Sequence, residues 1–215
     1  MTKLVTSETG GSIDSFSLTI PIKSGTTVAI GDLIGFSAGW VGADADAQIP
    51  AVFMACEAGT SIPVRVTRRG ILTDDAVPYT AGDDQYLSAT VKEHTATMPV
   101  TSTTLTILQK IGVALDTARV AFDLTQKGPV IMRIQAAVDP ASADTDVVAN
   151  LAVTTTGVLS TDQATLFSAP AVVQGVIYNG SLVCTANTVT MGIANASAGT
   201  VNGASTDVIF LISRY

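Results

Sequence analysis

Charge is scarce in this chain. Only 13% of its 215 residues are Asp, Glu, Lys or Arg, while 47% are apolar; an ordinary soluble domain carries about 25% charged residues. A composition this poor in charge suits a protein whose surface is covered by neighbours, and equally one with a bland exterior. Positive charge is the scarcer sign: 11 Lys and Arg stand against 18 Asp and Glu, a net charge of −7. Binding along a phosphate backbone needs clustered cations, so nucleic acid is not an expected partner. The acidity is shared, with 8 basic and 13 acidic residues in 1–126 and 3 and 5 in 127–215, so neither part is a charged tail.

Reactive side chains are as sparse. The single histidine, His94, sits beside Glu93 in a Thr-rich stretch and reads as a solvated loop residue. A Ser-His-Asp relay would need it, but no G-x-S-x-G elbow accompanies it. No G-x-x-x-x-G-K-[ST] loop is present, and the glycines of 31–42 open no helix that could hold an anion. The two cysteines, Cys56 and Cys184, are too few and too distant for a disulfide framework or a zinc site. Their apolar settings (VFMAC and SLVC) predict buried free thiols. Asp139, Asp144 and Asp146 form the densest acidic group, with Asp44/Asp46 and Asp83/Asp84 behind it. These pairs lack the ordered spacing and the glycine of a calcium loop, and they read as solvated acids. The expectation is a protein that is not an enzyme, with no catalytic, cofactor-binding or metal-binding residue. The N-terminal MTKLVTSETGG has no apolar core of signal-peptide type, and no apolar run reaches the roughly 18 residues of a membrane helix. No membrane contact is therefore expected.

What the chain has in quantity is short strand patterns and turn residues. Phe16 to Ile22 (FSLTIPI) alternates with period 2, and Pro21 marks an edge or an end. Val28 to Phe36 holds two short strands around a Gly31-Asp32 turn, and residues 37–42 make a tight hairpin carrying the only tryptophan, Trp40. Ile49 to Glu57 and Ser61 to Arg68 follow as strands. A turn-rich passage, 74–88, could hold one helical turn near Asp74 to Ala81; residues 93–103 are loop-like. Ile111 to Leu124 (IGVALDTARVAFDL) reads as two strands broken at Asp116-Thr117. Further strands are expected over 130–138, 147–156, 164–168, 172–177, 181–186, 188–195 and 207–213, with Tyr178-Asn179-Gly180 and Asn187 as turns. Turn signals every 8–12 residues predict an all-β fold of barrel or sandwich type.

Thr125-Gln126-Lys127-Gly128-Pro129 suits neither strand nor helix and divides the chain. The expected organisation is an N-terminal arm over 1–15, a small β-barrel over 16–126, and a small antiparallel β-sandwich over 127–215. Deletion after Thr125 should then leave a folded first domain.

Four stretches taken in order carry a family resemblance: VAIGDLIGFSAGWVG, IPAVFMACEAGTSIPVRVTRRGIL, AVPYTAGDDQYLSA and IGVALDTARVAFDL. Over residues 16–124 this succession of G-D turn, G-x-x-G hairpin, central strand pair, G-D-x-x-Y strand entry and IGVAL closing strand resembles the capsid decoration (cement) proteins of tailed bacteriophages. The loop around His94 to Thr104 is longer than that pattern. The second half, through VQGVIYNGSLVCTANTVTMGIANASAG and DVIFLIS, resembles β-domains appended to phage structural proteins. The resemblance implies a β-tulip-like barrel and a homotrimer on the virion surface. It implies that the protein is made in the host bacterial cytoplasm and binds the assembled major capsid protein without catalysis.

The residues singled out for partner binding are Leu4, Val5, Ile13 and Phe16 in and beside the arm, the lone Trp40, and the basic trio Arg65, Arg68 and Arg69. On one continuous strand Arg65 and Arg69 would share a face and Arg68 would oppose them. The alternative role is a head-fibre or tail component binding a host glycan, for which Tyr178 and Tyr215 are the aromatic candidates.

Overall fold

The computed structural model describes residues 3–6, 17–74, 78–99, 105–125, 129–138, 148–168, 176–196 and 206–215. The chain is all-β: among the described residues every element is a strand, and the strands pair antiparallel. It separates into two compact units, one of residues 1–99 and 107–128, the other of 100–106 and 129–215. The division at 128/129 lies beside the 126/127 boundary read from the sequence. The short excursion 100–106 has no counterpart in that reading, because nothing in a Thr-rich stretch says which core it joins.

The first unit holds β1 (Lys3–Thr6), β2 (Leu18–Pro21), β3 (Thr27–Val28), β4 (Leu33–Phe36), β5 (Trp40–Gly42), β6 (Phe53–Ala55), β7 (Gly59–Thr60), β8 (Pro63–Thr67), β9 (Arg69–Asp74), β10 (Asp84–Leu87) and β11 (His94–Thr95). The chain passes between the units at β12 (Thr106–Ile107), and β13 (Lys110–Ala114) and β14 (Arg119–Asp123) complete the first. One sheet runs β2-β8-β6-β4-β5 and another β1-β9-β14-β13-β10-β11, with β3 and β7 as a separate pair. Thr67 hands the chain from the first sheet to the second. Its buried hydroxyl donates to Arg69 O at 3.0 Å and accepts from Arg69 N at 3.4 Å, so the backbone turns at Arg68.

The two halves of Ile111 to Leu124 are β13 and β14, paired Gly112↔Phe122, Val113↔Ala121 and Ala114↔Val120. The break at Asp116 is a built turn: its carboxylate accepts from Ala118 N at 2.9 Å and from Arg119 Nε at 2.6 Å. Val120 and Phe122 alternate inward and are fully buried, which explains the strand better than propensity does. This hairpin is the middle of the six-stranded sheet, between β9 and β10. The arm is not wholly separate from the unit, since β1 pairs with β9 from Lys3↔Asp74 to Thr6↔Ile71.

The second unit contains β15 (Val130–Val138), β16 (Val148–Thr154), β17 (Gln163–Ser168), β18 (Val176–Thr185), β19 (Thr188–Asn195) and β20 (Thr206–Arg214). β15-β20-β17 run side by side in one sheet and β16-β19-β18 in the other. First pairs with last and second with fifth, while third and fourth lie together, a nested jelly-roll winding. Period-2 alternation builds its core: Met132 and Ile134, Val189, Met191 and Ile193, and Val208, Phe210 and Ile212 are all buried. The two strands expected around Tyr178-Asn179-Gly180 are a single strand, β18, whose register shifts between Asn179 and Leu182. The bulge absorbs the extra residues that the sequence offers as a turn. The real turn is at Ala186-Asn187, where Asn187 has φ +58°.

Arg214 ties the last strand to the loop before β17. Its guanidinium donates to both oxygens of Asp162 at 2.8 Å and to Gly157 O at 2.9 Å. Asp162 also accepts from Leu159 N at 2.8 Å, and the hydrogen bonds from Arg214 hold its carboxyl below the usual carboxylate range.

Candidate docking surface of the first unit

The core of the five-stranded sheet is built by Ile20, Ile22, Val28, Ile34, Phe53, Ala55, Val64 and Val66, with Trp40 and Val52 packed against it. Alternation sets which residues join it, and register sets where it ends. Leu18 lies in the row of Ile20, and Phe36 in the row of Ile34. The pairings Leu18↔Val66, Met54↔Thr67, Ile34↔Phe53 and Phe36↔Trp40 place Leu18, Phe36, Trp40, Phe53 and Arg68 at one end of this sheet. There the cover runs out: Leu18 is 55% and Phe36 58% exposed, whereas Phe53 is 5% exposed.

Three rings form a file at this end. Phe36 meets Trp40 edge-on with centroids 5.1 Å apart, and Trp40 meets Phe53 edge-on at 5.2 Å. Such edge-to-face pairs are worth about 0.5–1.5 kcal/mol each beyond area burial. Arg68 closes the file, with Cζ 4.7 Å from the Phe53 centroid. Arg69 turns the other way and grips Asp123 Oδ2 through Nε at 3.1 Å and Nη2 at 2.8 Å. The hydrogen bonds from Arg69, helped by those of Thr125, bring the Asp123 carboxyl down to about 2. Leu18, Phe53, Thr67, Arg68, Arg69 and Thr125 line a depression of about 410 Å³.

The residues expected to bind partners are therefore divided. Trp40 is half-buried, part plug and part surface, and Arg68 and Arg69 come to the same depression. Alternation along one strand does not relate the arginines, because the corner at Thr67 places Arg65 in β8 and Arg69 in β9 of the other sheet. Arg65 is partly buried, and its backbone N–H donates to Glu57 Oε1 at 2.7 Å. Val5 is a correction: it is 3% exposed and serves the fold, since β1 pairs with β9. Leu4 belongs to β1 opposite Thr73. Ile13 and Phe16 lie outside the described residues. Leu18 and Phe36 went unread as surface residues, because both keep the spacing of buried positions and only the register shows where the cover ends.

His94 is also corrected. It stands in β11 rather than in a loop, half-buried, stacked on Tyr79 with centroids 5.6 Å apart. Its Nδ1 lies 3.2 Å from Gln85 Oε1 and its Nε2 3.4 Å from the Tyr79 hydroxyl. Burial, with Asp74 nearby, pushes the Tyr79 phenol up to about 12. Cys56 and Cys184 are buried free thiols, and burial raises Cys56 to about 11. Asp44 caps its own turn, accepting from Asp46 N and Ala47 N, and Asp84 pairs with Lys110 at 2.6 Å. Among the described residues no group of acids, histidine and cysteine could hold a metal ion. Asp139, Asp144 and Asp146 lie outside them. Of the stretch Asp74 to Ala81, expected to hold a helical turn, Asp74 ends β9, residues 78–81 are not helical, and 75–77 lie outside the described residues.

Compared with protein-family models, with curated proteins and with solved structures, the chain matches none.

Proposed function

We propose that the chain is a non-catalytic structural protein of a phage head, a decoration protein that binds the assembled shell of major capsid protein as a homotrimer. The observation that carries this reading is the uncovered end of the first unit's core, where Phe36 stands exposed against half-buried Trp40 and Leu18 stands exposed near Phe53. Residues 16–124, which contain this end, are also the part that resembles decoration proteins. Large apolar side chains ranged along one end of a rigid sheet favour a fixed protein neighbour over a diffusing ligand. Low surface charge reduces the desolvation cost of such a contact. Binding only the assembled shell stabilises it by mass action, about 2.7 kcal/mol per site at one hundred times Kd, and many sites multiply the gain.

The test is co-sedimentation of the full chain with undecorated heads built from the major capsid protein of the same virus. Saturable binding at micromolar concentration is expected, with a trimer mass by light scattering; absence of binding refutes the reading. A host-glycan-binding head-fibre or tail protein is the second reading. Tyr215, 86% exposed, and Phe167, 63% exposed, offer ring faces on which a sugar can stack. Glycan-array binding without head binding would decide for it. Tyr178 has its side chain outside the described residues.

A further inference from the structure

We propose that the depression bounded by Leu18, Phe53, Arg68, Arg69 and Thr125 is the docking site for a capsid-shell segment that presents an apolar side chain next to a carboxylate. This rests on the decoration reading above and specifies the chemistry of the contact.

The apolar half of the requirement comes from the rows of the sheet. Leu18 continues the inward row of Ile20, yet more than half of its surface is open. Phe53 forms the adjoining wall and belongs to the core cluster. A side chain inserted between them would extend an existing core rather than start a new one, which is how buried anchors at interfaces gain most.

The acidic half comes from the accounting of charge at the rim. Arg69 and Asp123 neutralise one another through two hydrogen bonds to one oxygen. Arg68 is left as the net charge of the site: among the described residues no carboxylate pairs with it, and its contact is the face of Phe53. A guanidinium laid against a ring keeps its in-plane N–H donors available for a carboxylate. A purely apolar partner would bury that cation unpaired, which is strongly unfavourable. Nucleic acid is disfavoured by the chain's net charge of −7, against which this cation is a local exception.

The site is also held in place before binding. Leu124 N donates to Arg68 O at 2.7 Å, Thr67 fixes the corner, and Thr125 N donates to Asp123 Oδ1 at 2.9 Å. Little ordering is left to be done on association, so the contact can be tight for its size.

The experiment compares the full chain with Arg68→Glu, Arg68→Lys and Leu18→Asp in the co-sedimentation assay, with thermal melting to show that each variant folds. Both positions are exposed, so folding should be retained. Wild type is expected to bind. Arg68→Glu and Leu18→Asp should each weaken binding about tenfold or more, and Arg68→Lys less than Arg68→Glu. Wild-type binding with both disruptive variants binding equally well overturns this proposal and leaves the decoration reading standing. No wild-type binding refutes both. A change in the mass of the free protein with Arg68→Glu assigns the depression to a second copy and overturns the proposal in its favour.

Discussion

Replacing Gly112 with alanine should loosen the middle of the first unit. Gly112 faces Phe122 across the β13–β14 ladder, and an added Cβ would lie 2.2 Å from Ala121 O, 2.9 Å from Phe122 Cα and 3.0 Å from Ala121 C. All three are backbone atoms, so no side-chain rotation relieves the clash. Reaching ordinary contact near 3.5 Å from 2.2 Å requires β14 to retreat by about 1.3 Å. One or two ladder hydrogen bonds at about 1 kcal/mol each are weakened. The fully buried Val120 and Phe122 move with the strand and leave packing defects of about 2–3 kcal/mol. The expected loss is about 3–5 kcal/mol. Gly82→Ala is the control: its φ is +91° and nothing lies within 4 Å of its added Cβ, so only left-handed strain of about 1–2 kcal/mol applies. Urea unfolding followed by fluorescence reads the difference, because the only tryptophan, Trp40, reports on this unit. A midpoint for Gly112→Ala no lower than for Gly82→Ala would refute the close-approach argument.

Asp162→Ala should destabilise the second unit by about 1–3 kcal/mol, since it removes the carboxylate to which the Arg214 guanidinium and Leu159 N–H donate; circular dichroism in urea measures it. Acid weakens the same pair. A depressed Asp stabilises above its unfolded value near 4 and loses that contribution as pH falls, so the denaturant midpoint should drop below about pH 4. In the first unit Asp123→Asn should flatten the decline between about pH 4 and pH 2, because the Asp123 carboxyl lies at about 2. Both thiols should react slowly with an aromatic disulfide reagent at pH 8 in the native protein and promptly in urea, given their burial and the value of about 11 at Cys56. Deletion after Gly128 should leave a cooperatively melting first unit with its Trp40 emission unchanged; a molten fragment would show that 129–215 completes its core.

Strand existence was readable wherever one face is buried and the other is not. The alternation of Met132 and Ile134 or of Val120 and Phe122 is enforced by burial, and it leaves a period in the sequence. The turns at Asp116 and Asn187 were readable for the same kind of reason, because each is made by local chemistry. What failed was decided by distant partners. Tyr178-Asn179-Gly180 has turn composition, but pairing with β19 carries the chain through it as a bulge. His94 looked solvated because Tyr79 and Gln85, which hold it, arrive from other segments. The candidate docking site was half legible: Arg68, Arg69 and Trp40 stood out by rarity, whereas Leu18, Phe36 and Phe53 needed strand register to be brought to them.

In the second unit β15 and β20 pair along their whole length, from Val130↔Arg214 to Val138↔Thr206. Pro129 and Tyr215, which flank the Val130↔Arg214 pair, are therefore next-door neighbours. A fluorescent label attached after Tyr215 would therefore report on the surroundings of Pro129, and a quencher placed at Pro129 would silence it for as long as the β15–β20 pairing holds.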